Sequence, residues 1–246
     1  MKILLCNGRG GSGKSILARA LINYLSADPD NKVLVIDADT QLRDVIQTTE
    51  GTSRNNITLL PADLHTDDGW DDFINNIEDH SKGIAKDHTL AVVSLPGYTS
   101  IIKEGLPFIK NIFDELGCEV FEFFTTARDH DSIKLFELSQ QTGFGSISAQ
   151  TILVKNMIGF NKVFYKQSFE LWNESQAKGT YQPVEIVMPD LYWKTANLCR
   201  SSTVTMDEVA EKEDVSPMKR QTIKDWTEAM NREFQKLDLI PQGRSV

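Results

Sequence analysis

No stretch of the chain approaches the roughly 20 apolar residues of a membrane span, so no transmembrane helix is expected. Cysteine is scarce: Cys6, Cys118 and Cys199 are odd in number and far apart. That spacing speaks against a disulfide framework or a CxxC metal pair, and for buried thiols in a reducing compartment. Positive charge is in deficit, 26 Lys and Arg against 35 Asp and Glu. The net charge of −9 argues against wholesale electrostatic adhesion to nucleic acid or anionic lipid, although a local basic patch is compatible with it. His65, His80, His88 and His130 show no metal-ligand spacing with one another. Repeats, low-complexity tracts and linkers that would divide the chain are also lacking. The short apolar stretch after Met1 runs straight into a glycine-rich loop, too short for a signal segment, so the expectation is a cytoplasmic protein.

That loop is the most telling stretch present. Gly8-Arg9-Gly10-Gly11-Ser12-Gly13-Lys14-Ser15 has the spacing Gly, four residues, Gly-Lys-Ser. An apolar run, Lys2–Cys6, precedes it, and an apolar-periodic segment, Ile16–Leu25, follows, which is the strand–loop–helix setting of a phosphate-binding loop. Glycines let backbone N–H groups curl around an anion, and a helix start adds partial positive charge. Lys14 supplies a full charge for the outer phosphates of a nucleoside triphosphate, and the Ser15 hydroxyl suits Mg²⁺.

Further along, apolar runs at Lys2–Cys6, Val33–Ile36, Ile57–Leu60, Leu90–Val93, Val120–Phe124, Ile152–Lys155 and Val184–Val187 read as strands. Most are continuous, as in strands covered on both faces. Helical patterns fall between them at Lys14–Leu25, Gly69–Ser81, Ser100–Leu116, Asp131–Thr142 and Phe160–Ala177. Such alternation predicts an α/β fold: the three-layer P-loop NTPase architecture, a mostly parallel twisted sheet flanked by helices. Residues 1–246 read as one domain, with 206–246 a C-terminal helical extension. There Ser216-Pro217 resembles a helix start, and Ile223, Trp226, Met230, Phe234 and Leu237 share one face. Balanced charges opposite that face favour docking on the sheet over seeking lipid.

In a parallel sheet, ligands bind at the carboxyl ends of strands. The second strand delivers Asp37-Ala38-Asp39-Thr40-Gln41 to that edge. Two acids there call for a cation, so Asp37 is expected in the Mg²⁺ shell. Asp39 is expected to orient and deprotonate an attacking water. The acidic run Asp67, Asp68, Asp71, Asp72 reads as a solvated helix start, and the lysines at 155, 162, 166, 219 and 224 with Arg220 as solvated faces. Arg128-Asp129 reads as a local ion pair or a nucleotide or dimer contact.

Arg9-Gly10-Gly11-Ser12-Gly13-Lys14-Ser15 resembles the deviant Walker A loop of ParA- and MinD-type ATPases, and Asp37-Ala38-Asp39-Thr40-Gln41 resembles their first switch. Ser94-Leu95-Pro96-Gly97, Val154-Lys155-Asn156-Met157 and Met188-Pro189-Asp190 follow in the family's order, so the resemblance covers about residues 1–200. Within that family the chain looks most like the small ParA-like proteins of plasmid stability and conjugal transfer. The resemblance implies ATP or ADP held by Gly10, Gly11, Ser12, Gly13, Lys14, Ser15 and Ile16, with Asn156 on the base and Pro189 packed against it. It implies Ser15 and Asp37 at Mg²⁺, and Lys14, Asp39 and Arg9 in hydrolysis, Arg9 standing for the lysine that reaches across a dimer. Arginine keeps the charge but with a planar fork. Ser94 stands where the family has an acid, and a hydroxyl adds no negative charge to the metal shell. The implied function is a slow ATPase switch, an ATP-dependent homodimer in DNA or plasmid partitioning, conjugal transfer or intracellular positioning. It would act with a protein partner, with non-specific DNA left open. A nucleotide-binding adaptor with little or no hydrolysis is the alternative; a phosphoryl-transfer or ligase enzyme lacks acceptor residues, and a nitrogenase-type iron protein lacks its cysteines.

Overall fold

The computed structural model describes residues 1–38, 43–82, 88–97, 105–126, 130–157 and 169–239. Seven strands form one sheet: β1 (Lys2–Gly8), β2 (Lys32–Asp37), β3 (Ile57–Pro61), β4 (Thr89–Ser94), β5 (Glu119–Thr126), β6 (Gln150–Asn156) and β7 (Val184–Met188). Their order is β3-β2-β4-β1-β5-β6-β7, and every pairing is parallel. Each expected strand is present and extends a residue or more past its apolar run, because polar termini such as Asp37, Thr126 and Asn156 still pair in the ladder.

Alternating side chains feed two cores. Leu4, Cys6, Val35, Val92, Phe123 and Val154 pack with α1 (Lys14–Leu25) on one face. Ile3, Leu5, Ile36, Ala91 and Val93 pack with α3 (Asp67–Ser81) and α4 (Leu106–Glu115) on the other, through Phe73, Ile77, Ile109 and Phe113. A smaller cluster joins Phe124 and Leu153 to Phe136 of α5 (His130–Thr142) and Trp172 of α6 (Glu170–Glu174). The result is the expected helix–sheet–helix layering.

Helix boundaries differ in places from the sequence reading. The helix expected over Ser100–Leu116 is Leu106–Glu115 in the described part. In the described part of the one expected over Phe160–Ala177 stand α6 and α7 (Gln176–Tyr181), broken at Ser175, whose side-chain hydroxyl caps α7 by accepting from Lys178 N–H at 3.3 Å. Two short helices carry too little periodicity to be foreseen: α2 (Asp44–Gln47) and α8 (Trp193–Arg200). The polar stretch after residue 205 contains α9 (Met206–Glu211), started by a Thr205–Glu208 capping box.

The C-terminal extension includes α10 (Pro217–Phe234), which begins at Pro217. Ser216 takes the cap position, but its side chain makes no capping bond. The helix docks on the sheet as its apolar face requires. Ile223, Trp226, Met230 and Phe234 are buried in the α1-side core, and Trp226 Nε1–H donates to the Pro189 carbonyl at 2.9 Å.

Candidate functional site

The loop between β1 and α1 lies at the carboxyl edge of the sheet, with β4 and β5 on either side of β1. It leaves β1 through Gly8 at φ +135°, where a Cβ would stand 2.5 Å from Thr125 Oγ1 and 2.6 Å from the Thr125 carbonyl. Only glycine lets β1 and β5 end this close. Ser12 is buried, its hydroxyl 2.5 Å from that of Thr125, which itself donates to the Asn7 carbonyl at 3.0 Å. The loop turns into α1 at Gly13, φ +101°. The first bond of the helix ladder runs from Leu17 N–H to the Gly13 carbonyl at 3.0 Å. The amides ahead of it, at Lys14, Ser15 and Ile16, are those a helix start turns toward an anion.

Around this cradle the expected residues fall as follows. Lys14 Nζ donates to the Arg9 carbonyl at 3.1 Å, so the ammonium lies back over the loop; Arg9, Gly10 and Gly11 are exposed. A Cβ at Gly10 or Gly11 would meet nothing within 4 Å, so the loop's outer side is open. Ser15 is half-buried in the first turn of α1, and the Ile16 side chain belongs to the core. Asn156, at the end of β6, donates its amide to the Ser12 carbonyl at 2.6 Å, which brings two motifs 144 residues apart into contact. Pro189 is half-buried just beyond β7, its carbonyl occupied by Trp226. Gly97 lies over the loop, its Cβ position 3.5 Å from Gly10 Cα.

Asp37 ends β2 and is buried. Its Oδ2 accepts from Val45 N–H at 2.9 Å and Ile46 N–H at 3.2 Å, so the carboxylate caps the start of α2. Ser94 is its register partner on β4, also buried. Asp39, Thr40, Gln41, Arg128, Asp129, Lys162 and Lys166 lie outside the described residues. Three of the other basic candidates are held locally: Lys155 pairs with Glu185, Lys224 with Glu211 at 2.7 Å, and Arg220 Nε donates to the Val215 carbonyl at 2.6 Å. Among the described residues no cluster of three or more His, Cys, Asp or Glu could hold a metal.

Sequence reasoning missed what supports the loop from behind. Glu122, in the middle of β5, is fully buried. Its Oε1 accepts from Asn7 Nδ2 at 2.7 Å and Ser139 Oγ at 2.5 Å, and its Oε2 from Gln140 Nε2 at 3.0 Å. Asn7 in turn accepts from Gly8 N–H at 2.7 Å, which completes a polar chain from the buried acid to the loop. Burial raises the Glu122 pKa above the ordinary carboxylate value, and the bonds from Ser139, Asn7 and Gln140 only partly oppose this. A lone acid inside an otherwise apolar run, Val120-Phe121-Glu122-Phe123-Phe124, is the signal that could have found it. Cys6, beneath the loop, has its thiol pushed up by burial despite the charge of Lys14, so it is an inert core residue.

A glycine cradle at a helix start, at the carboxyl edge of a parallel α/β sheet, defines a P-loop nucleotide-binding protein. The chain matches the family described as "CobQ/CobB/MinD/ParA nucleotide binding domain" over residues 3–240, and it belongs to that family. Solved structures of similar fold include a ParA family ATPase from Chlorobium tepidum TLS, 16% identical with a TM-score of 0.57 over 92% of this chain and 96% of that one. The Pyrococcus furiosus cell division ATPase MinD is 12% identical with a TM-score of 0.60 over 96% and 99%. The MinC:MinD cell division complex of Aquifex aeolicus contains a chain 15% identical, with a TM-score of 0.58 over 100% and 99%. No curated protein sequence matches the chain. The family assignment carries nucleotide binding; the structural likenesses carry the fold.

Proposed function

We propose that this protein is an ATP-driven switch of the ParA/MinD type, which pairs with a second copy when ATP is bound and separates after slow hydrolysis. The observation that supports this reading is the contact between Asn156 and the Ser12 carbonyl, which brings the end of β6 beside the phosphate loop, where Asn156 would read the base. Lys14 and the amides of residues 10–16 bind the phosphates, and Arg9, exposed at the loop's tip, reaches the partner's nucleotide. Ser15 and Asp37 offer a hydroxyl and a carboxylate, hard oxygens that suit Mg²⁺, and both sit at the loop's edge of the sheet. Mg²⁺ held there would neutralise phosphate charge. Asp39 orients the attacking water. Differential affinity of ATP for the paired form supplies the switching free energy. The role served is positioning or segregating DNA or a cellular complex, or conjugal transfer, together with a stimulating protein partner.

The test is light scattering with ATP. The wild type should double in mass and Lys14→Ala should stay monomeric; a wild type that binds ATP yet remains monomeric refutes the pairing.

A second reading, a nucleotide-binding adaptor with little turnover, rests on Ser94 and on the engagement of Asp37 Oδ2 by α2. Weakening a partner around the metal costs about 10–100-fold in affinity or activity. Phosphate release separates the two readings, and turnover abolished by Asp39→Ala overturns the adaptor.

A further inference from the structure

Arg19 sits one helical turn beyond Ser15 on α1 and is only 5% exposed. Neither Nη1 nor Nη2 has a hydrogen-bond partner, and among the described side chains no other charged group has such orphaned donors. A guanidinium stays protonated at neutral pH even where burial lowers its pKa, as it does here. An unpaired buried charge is among the most costly features a fold can keep, and native proteins almost always supply a counter-charge. Asp44 attracts Arg19 electrostatically but bonds to neither terminal nitrogen.

Arg19 lines a small cavity together with Ser15, Ile16, Asp44, Thr48 and Arg200. Its volume is about 10 Å³, the size that admits one water-sized particle. Arg200, at the end of α8, is exposed and forms the cavity's outer side. Two guanidinium groups against one carboxylate leave an excess of one positive charge. Thr48 adds nothing to the balance, since its hydroxyl donates to the Asp44 carbonyl at 2.6 Å.

We propose that Arg19 and Arg200 form a binding site for a compact inorganic anion, which accepts from both Nη groups of Arg19 and ties α1 to α2 and α8 directly behind Ser15. Its chemistry is a single negative atom of chloride or oxygen size. A halide, larger than water, would enter with a small outward shift of the exposed Arg200 side chain, whereas phosphate would insert one oxygen and leave the others against Arg200. The site adjoins the nucleotide cradle through Ser15 and Ile16, lies on the other side of that helix turn from the loop, and does not depend on the switch reading.

Crystals of the full chain grown in bromide would be measured at the bromine absorption edge. An anomalous peak between Arg19 and Arg200 is expected. Thermal unfolding would compare chloride, phosphate and gluconate at constant ionic strength. Each tenfold rise in the binding anion above its dissociation constant should lift Tm by roughly 3–6 °C. A chloride response that Arg19→Met removes assigns the halide, and a phosphate response that persists in Lys14→Ala but is lost in Arg19→Met assigns the oxyanion, since the phosphate loop itself answers to phosphate. Arg19→Met should abolish the response, and Arg200→Met, a change on the exposed side that leaves the core intact, should weaken it. No bromide peak together with equal Tm in all three salts means that water satisfies Arg19 and overturns the proposal. A response undiminished in Arg19→Met does the same.

Discussion

Gly13→Ala isolates how the phosphate loop is held. Gly13 has φ +101°, a conformation that costs an alanine about 1–3 kcal/mol. The new Cβ would also stand 2.4 Å from Asn156 Nδ2 and 3.0 Å from Met188 Cε. Both atoms end flexible side chains, so they yield, but Asn156 then loses its 2.6 Å bond to the Ser12 carbonyl. That bond is worth about 1 kcal/mol. The substitution should therefore cost about 2–4 kcal/mol, read as a lower urea midpoint at unchanged slope. In an Asn156→Ala background the bond is already gone and the nearest obstruction to the Cβ is removed, so the backbone strain and the looser 3.0 Å contact with the flexible end of Met188 remain. The double-mutant cycle should then return a coupling of about 1 kcal/mol between positions 13 and 156. Wild-type stability in Gly13→Ala, or strictly additive costs in the cycle, would refute the account of the loop's support.

Two further outcomes follow from the packing. The Glu122 pKa is raised above its unfolded value of 4.5, so the folded chain keeps a proton that the unfolded chain loses. Its contribution is present below pH 4.5 and is lost as pH rises through the folded value, so Glu122→Gln should remove that decline from a stability–pH curve; a wild type that gains stability relative to the variant over this window contradicts the burial argument. Trp226→Phe removes the donor to the Pro189 carbonyl and should cost about 1–2 kcal/mol, or roughly 2–8 °C in Tm, while an unchanged melting curve would mean that the terminal helix docks by its apolar face alone.

The sheet was legible because its central strands are buried on both faces, so most of the apolar runs are continuous. The loop and α1 were legible because glycine spacing and helical period meet at Lys14. The short α2 and α8 were not, since four and eight residues hold too little pattern to rise above a loop. Arg19 carries no signal in the sequence: a charged residue within a helix is ordinarily solvated, but α1 is buried from Ile16 through Asn23 and leaves no wet face at that turn. The network around Glu122 was illegible for a different reason: its partners Asn7 on β1 and Ser139 and Gln140 on α5 are distant in sequence, and no local spacing reveals them.

The serine at 94 has a consequence for how the strands end. Asp37 and Ser94 are register partners on neighbouring strands, which lie about 4.8 Å apart, and both are buried. Two carboxylates in those places would repel in a poorly solvated setting, and one would take up a proton unless a cation lay between them. With a hydroxyl at 94, the carboxylate of Asp37 can be used by the backbone of α2, through the N–H groups of Val45 and Ile46. The arrangement is therefore stable by itself, and of these two register partners only Asp37 carries a negative charge that could attract a metal. A site built this way would bind its nucleotide mainly through the loop amides and Lys14, and would depend less on the metal for holding the nucleotide than for cleaving it.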